Sequence, residues 1–98
     1  MKTLELKKYG NIISDQQSGE IIYFKIKEIL ETEEMCTVDF TDVKSMATFN
    51  AKQIFGKLYI ELNPETFFKR IEIKNANDDL KLIIRLGIQS ALEDIDTF

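Results

Sequence analysis

Polar and apolar residues alternate through Thr3–Lys8, with Leu4 and Leu6 on one face, and the apolar pattern resumes at Ile12 and Ile13 after Tyr9-Gly10-Asn11. Period-two alternation on both sides of a turn-forming triplet predicts a β-hairpin. Beyond the polar stretch Ser14–Gly19 (SDQQSG) the period changes. Ile22, Ile26, Ile29 and Leu30 fall at helical spacing, while Lys25, Lys27, Glu28 and the acidic run at 31–34 supply a solvated face. A first helix is expected over about residues 19–33.

Met35–Phe40 is almost continuously apolar, which predicts a short central strand covered on both faces. Asp39, at its carboxyl end, is placed to accept bonds from loop amides. Asp42 and Ser45 are the candidate N-caps of a second helix whose buried stripe is Ala51, Ile54, Phe55, Leu58 and Leu62. Gly56 lies inside that helix at a cost of about 1 kcal/mol relative to alanine, which points to a close approach by another element. Asn63-Pro64 ends the helix, with one short helical turn after it at 64–68. Arg70–Lys74 (RIEIK) alternates as a strand, and Asn77 or Asp78 in NANDD is the candidate cap of a third helix. That helix carries Leu80, Ile83, Ile84, Gly87, Ile88, Ala91, Leu92 and Ile95 on one face, and the chain end at Phe98 is expected to fray.

The resulting order, ββαβαβα, describes one α/β domain over 1–98 with three helices. Its mixed sheet consists of the N-terminal hairpin and parallel strands joined through the helices. Ligands and partners of such sheets gather at the carboxyl ends of the strands. Here those ends are the Asp39–Asn50 corner and the Asn75–Asp79 turn.

Charge and composition narrow the chemistry. Thirteen Lys plus Arg against 17 Asp plus Glu give a net charge of −4, with the cations dispersed, so no nucleic-acid partner is expected. The chain has no histidine, which removes Ser-His-Asp and Cys-His catalysis and the commonest transition-metal ligand. The one cysteine, Cys36, builds neither an intramolecular disulfide nor a cysteine metal cluster. The N-terminus lacks the apolar core and cleavage site of a signal peptide, and no stretch reaches the about 20 apolar residues of a membrane span. A cytoplasmic protein without membrane contact, cofactor or metal is the expectation, and it is not expected to be an enzyme.

The stretch VDFTDVKSMATFNAKQIFGKL joins an apolar strand ending in Asp-Phe to a polar corner and an apolar-Phe-Gly-apolar helix, and IEIKNANDDLKLII follows with strand, Asn-containing turn and helix. In these features, across nearly the whole chain, the sequence resembles a family of STAS-like domains of unknown function, distantly related to bacterial anti-anti-sigma factors. In the latter, the strand-to-helix corner carries an Asp-Ser-Ser/Thr-Gly motif, and a kinase of the histidine-kinase-like ATPase type phosphorylates its first hydroxyl residue. The resemblance places Thr48 at that hydroxyl, with Ser45 as an alternative phosphoacceptor. Ala47 stands where the motif has Asp, and Asn50 where it has Gly. The competing account makes Thr48 and Ser45 ordinary caps and Phe49 a core residue.

Three roles follow. The first is a non-catalytic regulatory module that binds another protein through the corner residues Asp42, Lys44, Ser45, Met46, Thr48 and Asn50; the resemblance implies an ATPase or kinase-like partner. The second is a small-ligand or divalent-cation domain using Asp39, Asp42, Asp78 and Asp79, since hard cations take oxygen ligands. The third is a subunit that self-associates through surplus aromatics, namely Tyr23, Phe24, Phe67 and Phe68.

Overall fold

The structure, a computed structural model, describes residues 2–96. The expected fraying falls partly on Thr97 and Phe98, outside the described residues. Strand β1 (Lys2–Glu5) leads through a 3-10 turn (Leu6–Tyr9) to β2 (Ile12–Ile13), and α1 (Gln16–Thr32) carries the chain to β3 (Cys36–Asp39). A turn then leads to β4 (Ser45–Met46). The helical run that follows passes through an α turn (Thr48–Ala51), a π-helical turn (Lys52–Gly56) and a further stretch (Lys57–Arg70) broken at Asn63, where φ is 63°. We call the part before the break α2 and the part after it α3. Strand β5 (Ile71–Lys74) and helix α4 (Asp78–Asp96) complete the fold.

The α/β class with three long helices matches the expectation, but the hairpin does not form. Strands β1, β3 and β5 make a three-stranded sheet in the order β1-β3-β5, and both pairings are parallel. Strand β2 instead pairs with β4, also in parallel, with Ile12 opposite Ser45 and Ile13 opposite Met46. All the ladders among the described residues are therefore parallel. The reason lies in residues 6–9, which coil into a 3-10 turn that buries Leu6 and carries the chain onward without reversing it. Gly10, at φ 112°, serves this excursion and not a hairpin turn. Strands β1 and β2 thus run beside β3 and β4 as one interrupted parallel ladder. As expected, the central strand β3 is buried at Cys36, Thr37 and Val38.

Helix α1 begins three residues before its expected start, because the side chain of Asp15 accepts from the Ser18 amide (2.9 Å) and caps it. The polar stretch was cap and first turn together. Pro64 ends α2 as expected, and Asn63 then caps α3 by accepting from the Thr66 amide (3.2 Å). Arg70 closes the far end of α1. Its guanidinium donates to the carbonyls of Leu30 (2.6 Å), Glu33 (2.8 Å) and Glu34 (3.0 Å), tying the exit of α1 to the start of β5. Among the described residues, no helix is long and apolar enough to cross a membrane.

Helix α2 lies between α1 and α4, and glycines set both separations. A Cβ on Gly56 would sit 2.8 Å from the Ala91 Cβ and 2.9 Å from the Gly87 carbonyl oxygen; one on Gly87 would sit 2.6 Å from backbone atoms of Ala51 and Lys52. On the other flank, a Cβ on Gly19 would come within 2.7 Å of Asn50 Nδ2. We predict that Gly87→Ala, which helix propensity favours, lowers stability by about 1–3 kcal/mol, because the methyl meets backbone that cannot rotate away. Urea unfolding followed by circular dichroism tests this, and an unchanged or raised midpoint would refute the close-crossing account.

Candidate functional site

The corner after β3 is organised by one carboxylate. Asp39 Oδ1 accepts from the Thr41 amide (3.0 Å), the Thr41 hydroxyl (2.7 Å) and the Asn75 side-chain amide (3.0 Å), so the end of β3 is joined to the end of β5. The Asn75 and Thr41 bonds hold the Asp39 carboxyl at about 2, below its usual range. Asn75 reaches Asp39 from a left-handed backbone (φ 60°), a conformation that asparagine tolerates well. Asp39 thus accepts loop amides, as expected, and is spent on structure.

The chain then turns through Thr41–Asp42, closed by the Val43 amide donating to the Phe40 carbonyl (2.9 Å), with Asp42 at φ 65°. Asp42 and Ser45 are not helix caps. Asp42 sits in this turn, and Ser45 is half-buried in β4 because the backbone continues extended to pair with β2. The helical run begins only at Thr48, after Ala47, and no side chain caps it. Lys44 is exposed, and its carbonyl accepts from the Asn77 side-chain amide (3.1 Å), while Asn77 Oδ1 caps α4 through the Leu80 amide (2.7 Å).

The six corner residues therefore part company. Asp42, Lys44 and Thr48 face solvent, Ser45 is half-buried, and Met46 and Asn50 lie in the interior. Asn50 is fully buried and donates to the Asp15 carbonyl (2.8 Å), which fixes the start of α2 against the start of α1. Met46 and Asn50 are consequently removed from any contact surface. Phe49, which the capping account placed in the core, is instead 50% exposed.

Phe49 stands at the rim of an open groove of about 540 Å³ between α2 and the end of α4. Lys52, Gln53, Lys57 and Ile60 continue the α2 wall; Ala91 and Ile95 form the opposite one. Lys52 pairs with Asp94 across the groove, and the Lys57 ammonium rests 4.4 Å from the centre of the Tyr23 ring. Ile95 and Leu92, placed with the other apolar residues of α4 on one face, are exposed, because the close crossing ends at Ala91. The groove has a trace in the sequence: Phe49, Gln53, Lys57 and Ile60 recur at intervals of four, four and three, a second stripe beside the buried one.

Neither Cys36 nor Tyr23 is arranged as an activated nucleophile. Burial pushes the Cys36 thiol up to about 11. Burial also raises the Tyr23 phenol, together with its bond to Glu61. The four carboxylates proposed for a cation do not assemble. Among the described residues, no group of three or more Asp, Glu, Cys or His is placed to hold a metal ion. Of the surplus aromatics, Tyr23 and Phe67 are core, whereas Phe24 and Phe68 are exposed.

Residues 18–81 match a family model described as a STAS-like domain of unknown function. No curated protein and no solved structure matches the chain significantly.

Asp39 gives the corner a signature in acid. Its carboxyl is depressed in the fold, from 3.8 to about 2, so its contribution to stability is complete above the unfolded value. That contribution is lost as pH falls through the folded one. We predict that Asp39→Asn lowers the urea midpoint at neutral pH and flattens its decline between about pH 4 and pH 2. Parallel acid-dependence curves for the two proteins would contradict the assignment.

Proposed function

The chain belongs to the family of STAS-like domains of unknown function, and from that premise we propose that it is a non-catalytic regulatory module that binds another protein. Its contact face is the start and outer side of α2. The observation that carries this reading is Phe49, a large aromatic half-exposed at the rim of an apolar groove, one residue beyond an exposed hydroxyl at the first position of a helix. Aromatic residues beside apolar pockets are the usual anchors of protein interfaces, and an uncovered patch of this kind marks an interaction surface more often than a reaction centre.

The partner class comes from the resemblance to anti-anti-sigma factors: an ATPase of the histidine-kinase-like type, in the bacterial cytoplasm. The control point follows from position. Thr48 is exposed where the helix start tolerates an anion, whereas Ser45 is half-buried and engaged in β4, so Thr48 is the better phosphoacceptor of the two. A phosphate of about −1.5 to −2 charge next to Phe49 would repel an acidic partner surface without unfolding the helix.

The test is recovery of binding proteins from lysate of the source organism with magnesium and ATP, followed by affinity measurement on the purified pair. Phe49→Asp is expected to weaken the complex by about 30-fold or more, the loss typical of an interface anchor. Thr48→Glu is expected to weaken it as well, while thermal stability stays close to that of the wild type. Binding that both variants leave intact would move the contact face elsewhere. If no ATPase-like protein is recovered by the wild type, the partner assignment fails.

A further inference from the structure

A second groove, of about 380 Å³, opens between α3 and the first half of α4, away from Phe49. Its aromatic side is continuous: Tyr59, Phe67 and Phe68 meet edge to face, with ring centres 5.3–6.1 Å apart. Phe67 is buried beneath, and Phe68, at 67%, is the most exposed large apolar side chain among the described residues. Ile84 and Ile88 line the α4 side, and on that same side stand Lys81 and Arg85.

The two cations are placed at a cost to the isolated fold. They lie one helical turn apart, so they repel, and Lys81 is in the first turn of α4, where the helix dipole opposes positive charge. Neither is ion-paired among the described residues. Asp78 and Asp79 share the first turn but do not come within ion-pair distance, whereas Lys7, Lys27, Lys52 and Lys69 each have a carboxylate partner. In a chain of net charge −4, this groove combines an exposed aromatic anchor with two uncompensated positive charges on one wall.

We propose that this groove docks an acidic amphipathic helix of a partner protein, with an apolar side chain of that helix against Phe68 and its carboxylates on Lys81 and Arg85. The spacing sets the register. The cations are separated by about 6 Å along α4, which is the rise between residues i and i+4 of a second helix. An acidic helix would relieve both the mutual repulsion and the unfavourable position of Lys81, while its apolar face covers Phe68. This groove shares no lining residue with the Phe49 groove and sits nearer the start of α4, so the domain would hold two partners, or two parts of one, at different points along α4.

The test uses the full chain, isotopically labelled for NMR, and a synthetic helical peptide with Leu and Phe on one face and Glu at i and i+4 beside them. A matched peptide carries Lys in place of Glu. The acidic peptide is expected to shift the amides of residues 67–68 and 81–88, and added salt is expected to weaken it. The double variant Lys81→Glu/Arg85→Glu is expected to bind about tenfold or more weakly, as is the Lys peptide. Both cations are exposed, so the variant should keep its fold, and its unshifted spectrum elsewhere verifies this. Phe68→Ala provides an independent second variant and is expected to weaken binding without changing its salt dependence. The proposal is overturned if the two peptides bind equally, if the double variant binds as well as wild type, if the acidic peptide produces no shifts, or if the shifts fall around Phe49. It is equally overturned if inorganic phosphate alone reproduces the shifts at Lys81 and Arg85 and displaces the peptide, since the groove is then a small-anion site.

Discussion

The close approach of α2 to its two neighbouring helices is the constraint on which the rest of the structure depends. Gly56 and Gly87, with Ala51 and Ala91 between them, let α2 and α4 meet almost backbone to backbone, and Gly19 leaves room on the α1 side for the side chains of Asn50 and Gln53. Interior packing is dense enough that a single added methyl at such a crossing must move backbone. The π-helical turn at Lys52–Gly56 falls where both neighbours come closest. Its inward residues Ile54 and Phe55 are wholly buried, so the core side of α2 is filled and only the outer stripe from Phe49 to Ile60 is left to interact.

Polar ties hold the loops to this packed centre. Asn50 and Gln53 reach back to carbonyls at the start of α1, Arg70 satisfies three carbonyls at its end, and Asp39, Thr41 and Asn75 lock the ends of β3 and β5 together. Each satisfies groups that the fold would otherwise leave unpaired; the Asp39 and Asn50 ties flank the corner before Thr48, and Arg70 fastens the opposite end of the sheet. A docking surface on rigid elements needs little ordering when a partner arrives. The same reasoning explains why so few of the acidic groups are available for chemistry: the best placed of them, Asp39, already has three donors.

Helix α4 contributes to two unlike surfaces along its length. Towards the end of the helix, the groove at Phe49 is apolar, with its lysines engaged by Asp94 and by the Tyr23 ring; nearer the start, Phe68 lies beside Lys81 and Arg85, neither of which is ion-paired among the described residues. The small core accounts for both. A chain of 98 residues with three long helices cannot bury every apolar face against one three-stranded sheet, and Phe49, Phe68 and Ile95 are among the large apolar side chains left exposed. What distinguishes the two surfaces is charge, which sets partner choice more sharply than apolar area does.

The sequence by itself determined the helices and the central strand. Ile22, Ile26 and Leu30, or Ala51, Ile54, Phe55 and Leu58, repeat at a period only a helix satisfies, and Cys36–Val38 is too continuously apolar for an edge strand. Gly56 announced a close neighbour, and Asn77 a cap, because each has few other reasons to stand where it does. Strand pairing was decided by tertiary structure. The alternation at Leu4, Leu6 and Ile13 fits a hairpin and a parallel ladder equally well, and only the burial of Leu6 in a 3-10 turn selects the second. The same holds for the candidate site. A hydroxyl or carboxylate before a helix reads as a cap whatever the backbone does, so the pairing of β4 with β2 was needed to move the helix start to Thr48, bury Met46 and Asn50, and turn Phe49 outward.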